Sequence, residues 1–148
     1  MTLIDDKCIL ALDKRPECVV SENGKTYSLI NNSMFIVKQV KGDKCLHQEV
    51  GEKRCDYLMI INDKKIRRVF FIELKGGNIS EGIKQIMSTI QYLTNELIGY
   101  RIDARVIGKG SNIPAVRNTP AYVKLMKKVK LEKGTLEIST NKFYTENI

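Results

Sequence analysis

The pattern of apolar and polar positions is most regular between residues 53 and 92. Two apolar runs, 57–61 and 69–75, are joined by a polar connection at 62–68, which predicts a hairpin of two strands. The second run is apolar at almost every position and stops at a Gly-Gly pair. This is the pattern of a central strand that is covered on both faces, so we expect the sheet of this protein to be centred here.

Three polar residues interrupt these runs. Asp56 comes directly before the first run, and Glu73 and Lys75 lie at the end of the second. Because side chains alternate along a strand, Val69, Phe71, Glu73 and Lys75 are predicted to share one face, while Phe70, Ile72 and Leu74 share the other. In a hairpin the start of the first strand lies beside the end of the second, which predicts that Asp56 is close to Glu73 and Lys75.

Two carboxylates and an ammonium at the end of a buried sheet require a chemical explanation. Buried charges are normally paired or bind a metal, because burying an unpaired charge is costly. Two carboxylate oxygens, the main-chain carbonyl of Leu74 and several waters would suit Mg²⁺ or Mn²⁺. Lys75 would then orient or deprotonate a water, or neutralise developing charge, as phosphodiester hydrolysis requires. A buried salt bridge explains any one of these residues, whereas the three together favour catalysis.

A helix is predicted after the glycine pair. Asn78 is a suitable N-cap, Glu81 stands at the capping-box position, and Gly99 ends the pattern. Gln85 lies on the flank of this helix, where it either faces the metal site or is simply solvated. One apolar stripe at helical spacing predicts the buried face, and it consists of Ile79, Ile83, Ile86, Met87, Ile90, Leu93 and Leu97.

Asp56, the Glu73-Leu74-Lys75 triplet and the following helix together resemble the PD-(D/E)XK nuclease superfamily. The resemblance implies a restriction-endonuclease-like core, which is a mixed four-stranded sheet flanked by helices in the order αβββαβ. It also implies metal-dependent cleavage of nucleic acid, with Asp56 and Glu73 as metal ligands, Lys75 as the catalytic lysine and Gln85 in a supporting role.

This chain departs from the family pattern at one position, and one further position of the pattern has several candidates. Cys55 stands where the named motif has proline, which is a common departure. The family often uses a further acidic residue from the N-terminal region, for which Glu22, Asp43 and Glu49 are all candidates.

The remaining elements are less regular. Residues 25–40 are ambiguous between helix and strand, and residues from 35 onward predict a first strand or hairpin with a turn at 41–44 before 45–50. The rest of the chain predicts loops around 16 and at 21–24, a strand at 100–107, a loop at 108–119, a helix from Thr119 and Pro120 to near Gly134, an edge strand at 135–139 and a tail at 141–148.

The formal net charge of +8 favours a polyanionic partner. The loop after the 100–107 strand and the last helix carry basic and polar side chains that would contact phosphates, although such lysines often form only a solvated face. The predicted nucleic-acid contacts are Lys109, Ser111, Arg117, Lys124 and Lys127. We expect a nucleic-acid partner, with DNA favoured over RNA.

Other features of the sequence limit the classes of protein to which this chain can belong. At 148 residues, the chain is expected to form one domain over residues 1–148. The four cysteines contain no C-x-x-C pair, so most are expected to be buried reduced thiols. The single histidine argues against a zinc site built on several histidines, and no P-loop or G-x-S-x-G motif is present. Without a long apolar span or a signal-like N-terminus, we expect a cytoplasmic protein with no membrane association.

The sequence therefore predicts a Mg²⁺- or Mn²⁺-dependent nuclease. The alternative is a catalytically inactive module on the same fold that binds nucleic acid or protein, including a subunit of a larger defence or mobile-element complex. A chain this short has little surface for recognising a sequence, which favours either low intrinsic specificity or an oligomer, such as a homodimer or a larger complex.

Overall fold

The computed structural model describes residues 3–110 and 113–148, which form two stacked sheets with helices on one side. The strands are β1 (Ile9–Asp13), β2 (Glu17–Glu22), β3 (Lys25–Ile30), β4 (Val37–Lys41), β5 (Tyr57–Asn62), β6 (Arg67–Leu74), β7 (Arg101–Ile107), β8 (Leu136–Ser139) and β9 (Phe143–Asn147). The α-helices are α1 (Ile79–Tyr92), α2 (Ile113–Arg117) and α3 (Pro120–Leu131), and 3₁₀ turns lie at Asp6–Cys8 and Thr94–Leu97.

The larger sheet is mixed and has the strand order β1-β4-β5-β6-β7-β8. Strands β4, β5 and β6 form an antiparallel meander, and α1 connects β6 to β7, which runs parallel to it. This confirms the mixed α/β class. The predicted four strands become six because β1 adds to β4 at one edge and β8 adds to β7 at the other.

Both faces of β6 are buried, as its apolar sequence predicts. Val69 and Phe71 pack with the apolar stripe of α1 and with Leu125 of α3. On the opposite face, Phe70, Ile72 and Leu74 belong to a second cluster with side chains of the smaller sheet, including Tyr27 and Leu29. The central hairpin is therefore enclosed between a helical layer and a second sheet.

The smaller sheet has the order β2-β3-β9 and corrects two predictions. Residues 21–24 are not a simple loop: Asn23 and Gly24 have φ angles of 53° and 71°, as a two-residue hairpin turn requires. Residues 141–148 are not a tail, because β9 pairs in parallel with β3. Glu146 of β9 is held by Arg105 at 2.8 Å and by the Tyr27 hydroxyl at 2.6 Å.

The N-terminal region also differs from expectation. The helix implied at the start of the core is replaced by the short 3₁₀ turn and β1, and residues 45–50 form no strand. Cys8 and Cys45 form a disulfide, while Cys18 and Cys55 are free and buried, so the prediction of reduced thiols holds for only two of the four. Sequence spacing could not reveal this pair, because it depends on β1 lying beside β4. Disulfides are rare in reducing compartments, and the cytoplasmic location remains a prediction.

Among the described residues, no helix has the length and apolar character needed to cross a lipid bilayer.

Candidate metal and nucleic-acid site

Asp56 and Glu73 face each other across the β5–β6 pair, as the hairpin predicted. The pairing of Tyr57 with Ile72 continues by one residue to these two positions. The main-chain N–H of Asp56 donates to Oε1 of Glu73 at 2.9 Å, and the N–H of Leu74 donates to Oδ2 of Asp56 at 2.8 Å. Each carboxylate is thus fixed by the backbone of the opposite strand, with little freedom to move.

Lys75 completes the group that the sequence predicted. Its Nζ lies 3.3 Å from Oε2 of Glu73, and its side chain is only partly exposed, whereas Glu73 is 1% exposed. Lys75 therefore pairs with Glu73, the more deeply buried of the two carboxylates. Burial and the neighbouring Asp56 carboxylate raise the pKa of Glu73 to about 8, and the attraction of Lys75 only partly opposes this. Burial also raises the pKa of Asp56.

The tip of the β2–β3 hairpin reaches this site from the smaller sheet. Nδ2 of Asn23 donates to the carbonyl of Leu74 at 2.9 Å, which holds the third predicted oxygen ligand in place. Glu22, the preceding residue, is 3.5 Å from Nζ of Lys41, and the charges of both influence the pKa of Asp56. Sequence reasoning missed Asn23 because it did not recognise the Asn-Gly hairpin, and it missed Lys41 because it assigned residues 41–44 to a turn, whereas Lys41 ends β4.

Of the three candidates for a further acidic residue, Glu22 is therefore the one that the fold brings to the site. Within the described residues, Asp43 and Glu49 make no contact with Asp56 or Glu73, and Glu49 instead pairs with His47 at the surface.

The chemistry of the donor set fits a hard divalent cation. Two carboxylates and one main-chain carbonyl are oxygen ligands of the kind that Mg²⁺ and Mn²⁺ accept, with water filling the other positions. In residues 3–110 and 113–148, no group of three or more His, Cys, Asp and Glu side chains is placed to hold a metal. The site would therefore rely on Asp56, Glu73 and the Leu74 carbonyl, and not on a closed protein cage.

Helix α1 packs directly over Glu73 and Lys75. Its predicted N-cap is confirmed, since the Asn78 side chain accepts a hydrogen bond from the N–H of Glu81. The α-helix ends at Tyr92, earlier than the apolar stripe, which continues through the 3₁₀ turn to Leu97. Thr89 accepts a hydrogen bond from the N–H of Cys55 at 2.8 Å and so ties the helix to the residue preceding Asp56.

Gly82 allows this close approach. A Cβ atom at this position would lie 3.0 Å from Cγ of Glu73 and 3.3 Å from Cγ of Lys75. For the nuclease activity that the sequence predicts, we expect Gly82→Ala to lower the rate of cleavage by about 10-fold or more, because it displaces both side chains. Its effect on the free energy of unfolding should stay within about 1 kcal/mol, since alanine favours the helix by a similar amount. Gly77→Ala is the control, because no atom lies within 4 Å of its added Cβ. Equal rates for the two variants would contradict this role of Gly82.

Arg54 is a second residue that the sequence did not single out. It is 2% exposed and donates to the carbonyl of His47 at 2.8 Å and to Oγ of Ser88 at 2.7 Å. Its guanidinium also lies 4.4 Å from the centre of the Tyr92 ring. Arg54 therefore fastens the segment before Asp56 to α1. No motif or periodicity in the sequence could have indicated it.

A groove of about 400 Å³ opens beside Lys75 and Gln85, between α1 and residues 51–53. Gln85 is 7% exposed, so it is not a fully solvated glutamine. A second groove of about 330 Å³ between α1 and α3 adjoins the first, because Lys84 and Ser88 line both. Basic side chains follow this path from the site, namely Lys53, Lys84 and Lys124, although Glu52 and Glu81 also line the first groove.

The predicted nucleic-acid residues are only partly brought together. Lys124 lies on the α1–α3 groove, and Lys127 is exposed on the same helix. Lys109 lines a separate recess beside the start of α1, and Arg117 is exposed at the end of α2. Ser111 lies outside the described residues. Lys53 was missed because it lies outside the predicted strands, shortly before Asp56, and Lys84 was missed because it lies on the helix whose apolar face was assigned to the core.

Comparisons of this chain with known protein families, with curated proteins and with solved structures find no match.

Proposed function

We propose that this protein is a metal-dependent nuclease with a restriction-endonuclease-like core, and that it hydrolyses phosphodiester bonds of DNA or RNA. One observation carries the proposal: two buried carboxylates and an ammonium converge at the end of the β5–β6 hairpin, in a geometry locked by main-chain hydrogen bonds. The βββαβ order from β4 to β7 and the basic grooves beside the site support it.

The roles of the residues follow from their positions. Asp56, Glu73 and the Leu74 carbonyl would hold Mg²⁺ or Mn²⁺, which when bound supplies Lewis acidity toward a phosphoryl oxygen and makes water more acidic. Lys75 places a positive charge where the negative charge on the phosphate grows, and it can donate to the attacking water. Gln85, on the wall of the groove, would position that water or a phosphate oxygen.

The test is cleavage of labelled single-stranded, double-stranded and branched DNA and RNA with Mg²⁺, with Mn²⁺ and with EDTA. We expect metal-dependent products from the wild type and a loss of at least about 100-fold in Asp56→Asn and Lys75→Met, because ligands and transition-state charges contribute this much. Lys65→Met, in the exposed β5–β6 turn, should retain full activity and serves as the matched lysine control.

A different outcome would favour the alternative function. If no substrate is cut, while salt-sensitive binding persists with EDTA and in Asp56→Asn, the protein is a binding module on a nuclease-like fold and the catalytic proposal is wrong.

A further inference from the structure

The two ends of the disulfide between Cys8 and Cys45 lie in different surroundings. Cys8 is 0% exposed, whereas Cys45 is only partly buried. Cys45 also lines an open cavity of about 510 Å³, and it is the only cysteine among the described residues of that wall. A molecule that enters from solvent therefore reaches the disulfide from the side of Cys45.

The cavity has the size and the lining of a small-molecule site. Pockets that hold small ligands usually measure roughly 300–1,000 Å³. The wall of this one combines apolar surface from Leu46 and Tyr92 with charges of both signs, which come from Asp5, Asp6 and Lys7. Charged groups that lose water need partners of opposite sign. This wall therefore suits a small zwitterionic molecule better than an apolar one.

A thiol is the class of molecule that can react at this place. A thiolate attacks one sulfur of a disulfide, and access helps to decide which sulfur it attacks. Attack on Sγ of Cys45 forms a bond from that sulfur to the incoming thiol and breaks the bond to Cys8. Cys8 leaves with the electron pair of the broken bond and takes up the proton that the incoming thiol released to water. One disulfide is consumed and one is formed, so no further oxidant or reductant is needed.

The two free cysteines do not compete for this reaction. Cys18 and Cys55 are fully buried, and burial raises the pKa of both thiols. The thiolate is the reactive form of cysteine. Both side chains therefore stay protonated and out of reach while the protein is folded.

One tight turn connects the disulfide to Asp56. The N–H groups of Cys45 and Leu46 donate to the carbonyl of Gly42 at 3.1 Å and 2.9 Å. The N–H of Gly42 in turn donates to the carbonyl of Asp56 at 2.8 Å. Gly42 packs so closely on this backbone that an added Cβ atom would collide with the carbonyl oxygen of Cys55. The disulfide thus ties the N-terminal segment to the turn that supports Asp56.

We propose that Cys45 is a modification site for a small zwitterionic thiol, which enters the cavity, forms a mixed disulfide with Cys45 and releases Cys8. Once the link to Cys8 is lost, residues 42–46 and the backbone of Asp56 open more often, because local contacts set the free energy of local opening. The redox state of the disulfide therefore controls how firmly Asp56 is held. The inference does not depend on the proposed nuclease activity.

The position of the exchange is tested with glutathione as the zwitterionic thiol. Folded, oxidised wild type is incubated with reduced glutathione, quenched with acid, alkylated after denaturation and digested for mass spectrometry. Glutathione should be on Cys45 and the alkyl group on Cys8, with at least about 10-fold more adduct at Cys45.

Two single variants trap the adduct, because the second cysteine is not there to displace it. With glutathione disulfide, Cys8→Ser should be modified at Cys45 at least about 10-fold faster than Cys45→Ser is modified at Cys8. Circular dichroism checks that both variants are folded. Equal reaction at the two positions, faster reaction at Cys8, or no adduct on Cys45 in either arm would overturn the assignment.

Hydrogen exchange measures the loosening around Asp56. Reduction of the wild type with dithiothreitol should speed exchange of the Gly42 and Asp56 amides by at least about 10-fold. The increase should be smaller in α3, which packs against β7 and β8. The double variant Cys8→Ser/Cys45→Ser has no link to reduce, so dithiothreitol should not change its exchange. Unchanged exchange at Gly42 and Asp56, or an equal increase throughout the chain, would overturn the coupling.

Discussion

Replacing Glu73 with glutamine is expected to abolish metal-dependent cleavage and, at the same time, to stabilise the metal-free protein at alkaline pH. Glu73 is buried beside a second carboxylate, and the attraction of Lys75 only partly offsets the cost of burying its charge. The glutamine side chain would keep an oxygen to accept the N–H of Asp56 but would carry no charge. The loss of cleavage should reach at least about 100-fold, because a ligand is removed.

The gain in stability has a defined pH dependence. The pKa of Glu73 is about 8 in the folded protein, against an ordinary value of 4.5. The folded state therefore holds a proton that the unfolded chain releases, and wild-type stability falls as pH rises from about 4.5 to about 8. Glu73→Gln removes this loss. The variant should resemble the wild type at pH 5 and exceed it above pH 8 by on the order of 3 kcal/mol, or about 6–12 °C in Tm.

Thermal melts at pH 5 and pH 9, with EDTA and with Mg²⁺, check this prediction. Mg²⁺ should raise the Tm of the wild type at pH 9 and leave Glu73→Gln unchanged, because a ligand that binds only the folded state stabilises it. Glu81→Gln, an exposed carboxylate on the first turn of α1, is the control and should show neither effect. An unchanged Tm for Glu73→Gln at pH 9 would show that the buried charge carries no cost.

Replacing Asp103 with alanine is expected to cause the largest loss of stability. Asp103 is fully buried on β7 and accepts hydrogen bonds from Arg68 at 2.7 Å and from the N–H and hydroxyl of Thr135 at 3.0 Å. Arg101 and Arg105 lie within 3.6 Å of its carboxylate. Burial acts to raise the pKa of Asp103, but the three arginines outweigh it, and the pKa lies below its ordinary value.

Asp103→Ala removes the shared partner of these guanidinium groups, of which those of Arg68 and Arg105 are largely buried. Arg105 keeps Glu146, so the uncompensated charge is mainly that of Arg68, and leaving a buried charge unpaired typically costs about 3–5 kcal/mol. Chemical denaturation at pH 7 measures the loss. Asp13→Ala provides the matched control, because its pair with Arg15 is about half exposed and screened by solvent, so its loss should change the free energy of unfolding little. Since the folded pKa is lowered, the contribution of Asp103 is present above about pH 4 and disappears on acidification. Equal losses in the two variants would contradict the prediction.

The parts of the fold that the sequence predicted correctly are those specified by local periodicity. The run at 69–75 is apolar at all but two positions, as a doubly covered strand requires. The stripe from Ile79 to Ile90 is the buried face of α1, whereas its last residue, Leu97, lies in the following 3₁₀ turn. Asp56 and Glu73 were correctly predicted to be neighbours, because the two residues just beyond the Tyr57–Ile72 pair of the hairpin still face each other. Their roles remain predictions.

The parts that were missed depend on contacts between distant segments. Asn23-Gly24 was a recognisable hairpin turn, but apolar and polar residues alternate only weakly along 17–30. The burial of Tyr27 and Leu29 becomes evident only when the larger sheet is packed against them. Strand β9 has little apolar character of its own, and its place is determined by Glu146 meeting Arg105 and Tyr27. The disulfide between Cys8 and Cys45 likewise requires β1 to be already paired with β4.

The parallel pairing of β9 with β3 has a consequence for how the molecule assembles. The two strands are separated by most of the chain, whereas β4, β5 and β6 are sequential neighbours. Closing such a long loop costs entropy before its contacts form, so β9 should pair later than the meander and later than the β2–β3 hairpin, whose strands are neighbours in sequence. Glu22 and Asn23 lie at the turn of that hairpin. The last strand to pair is therefore not the one that carries these two residues to the candidate site.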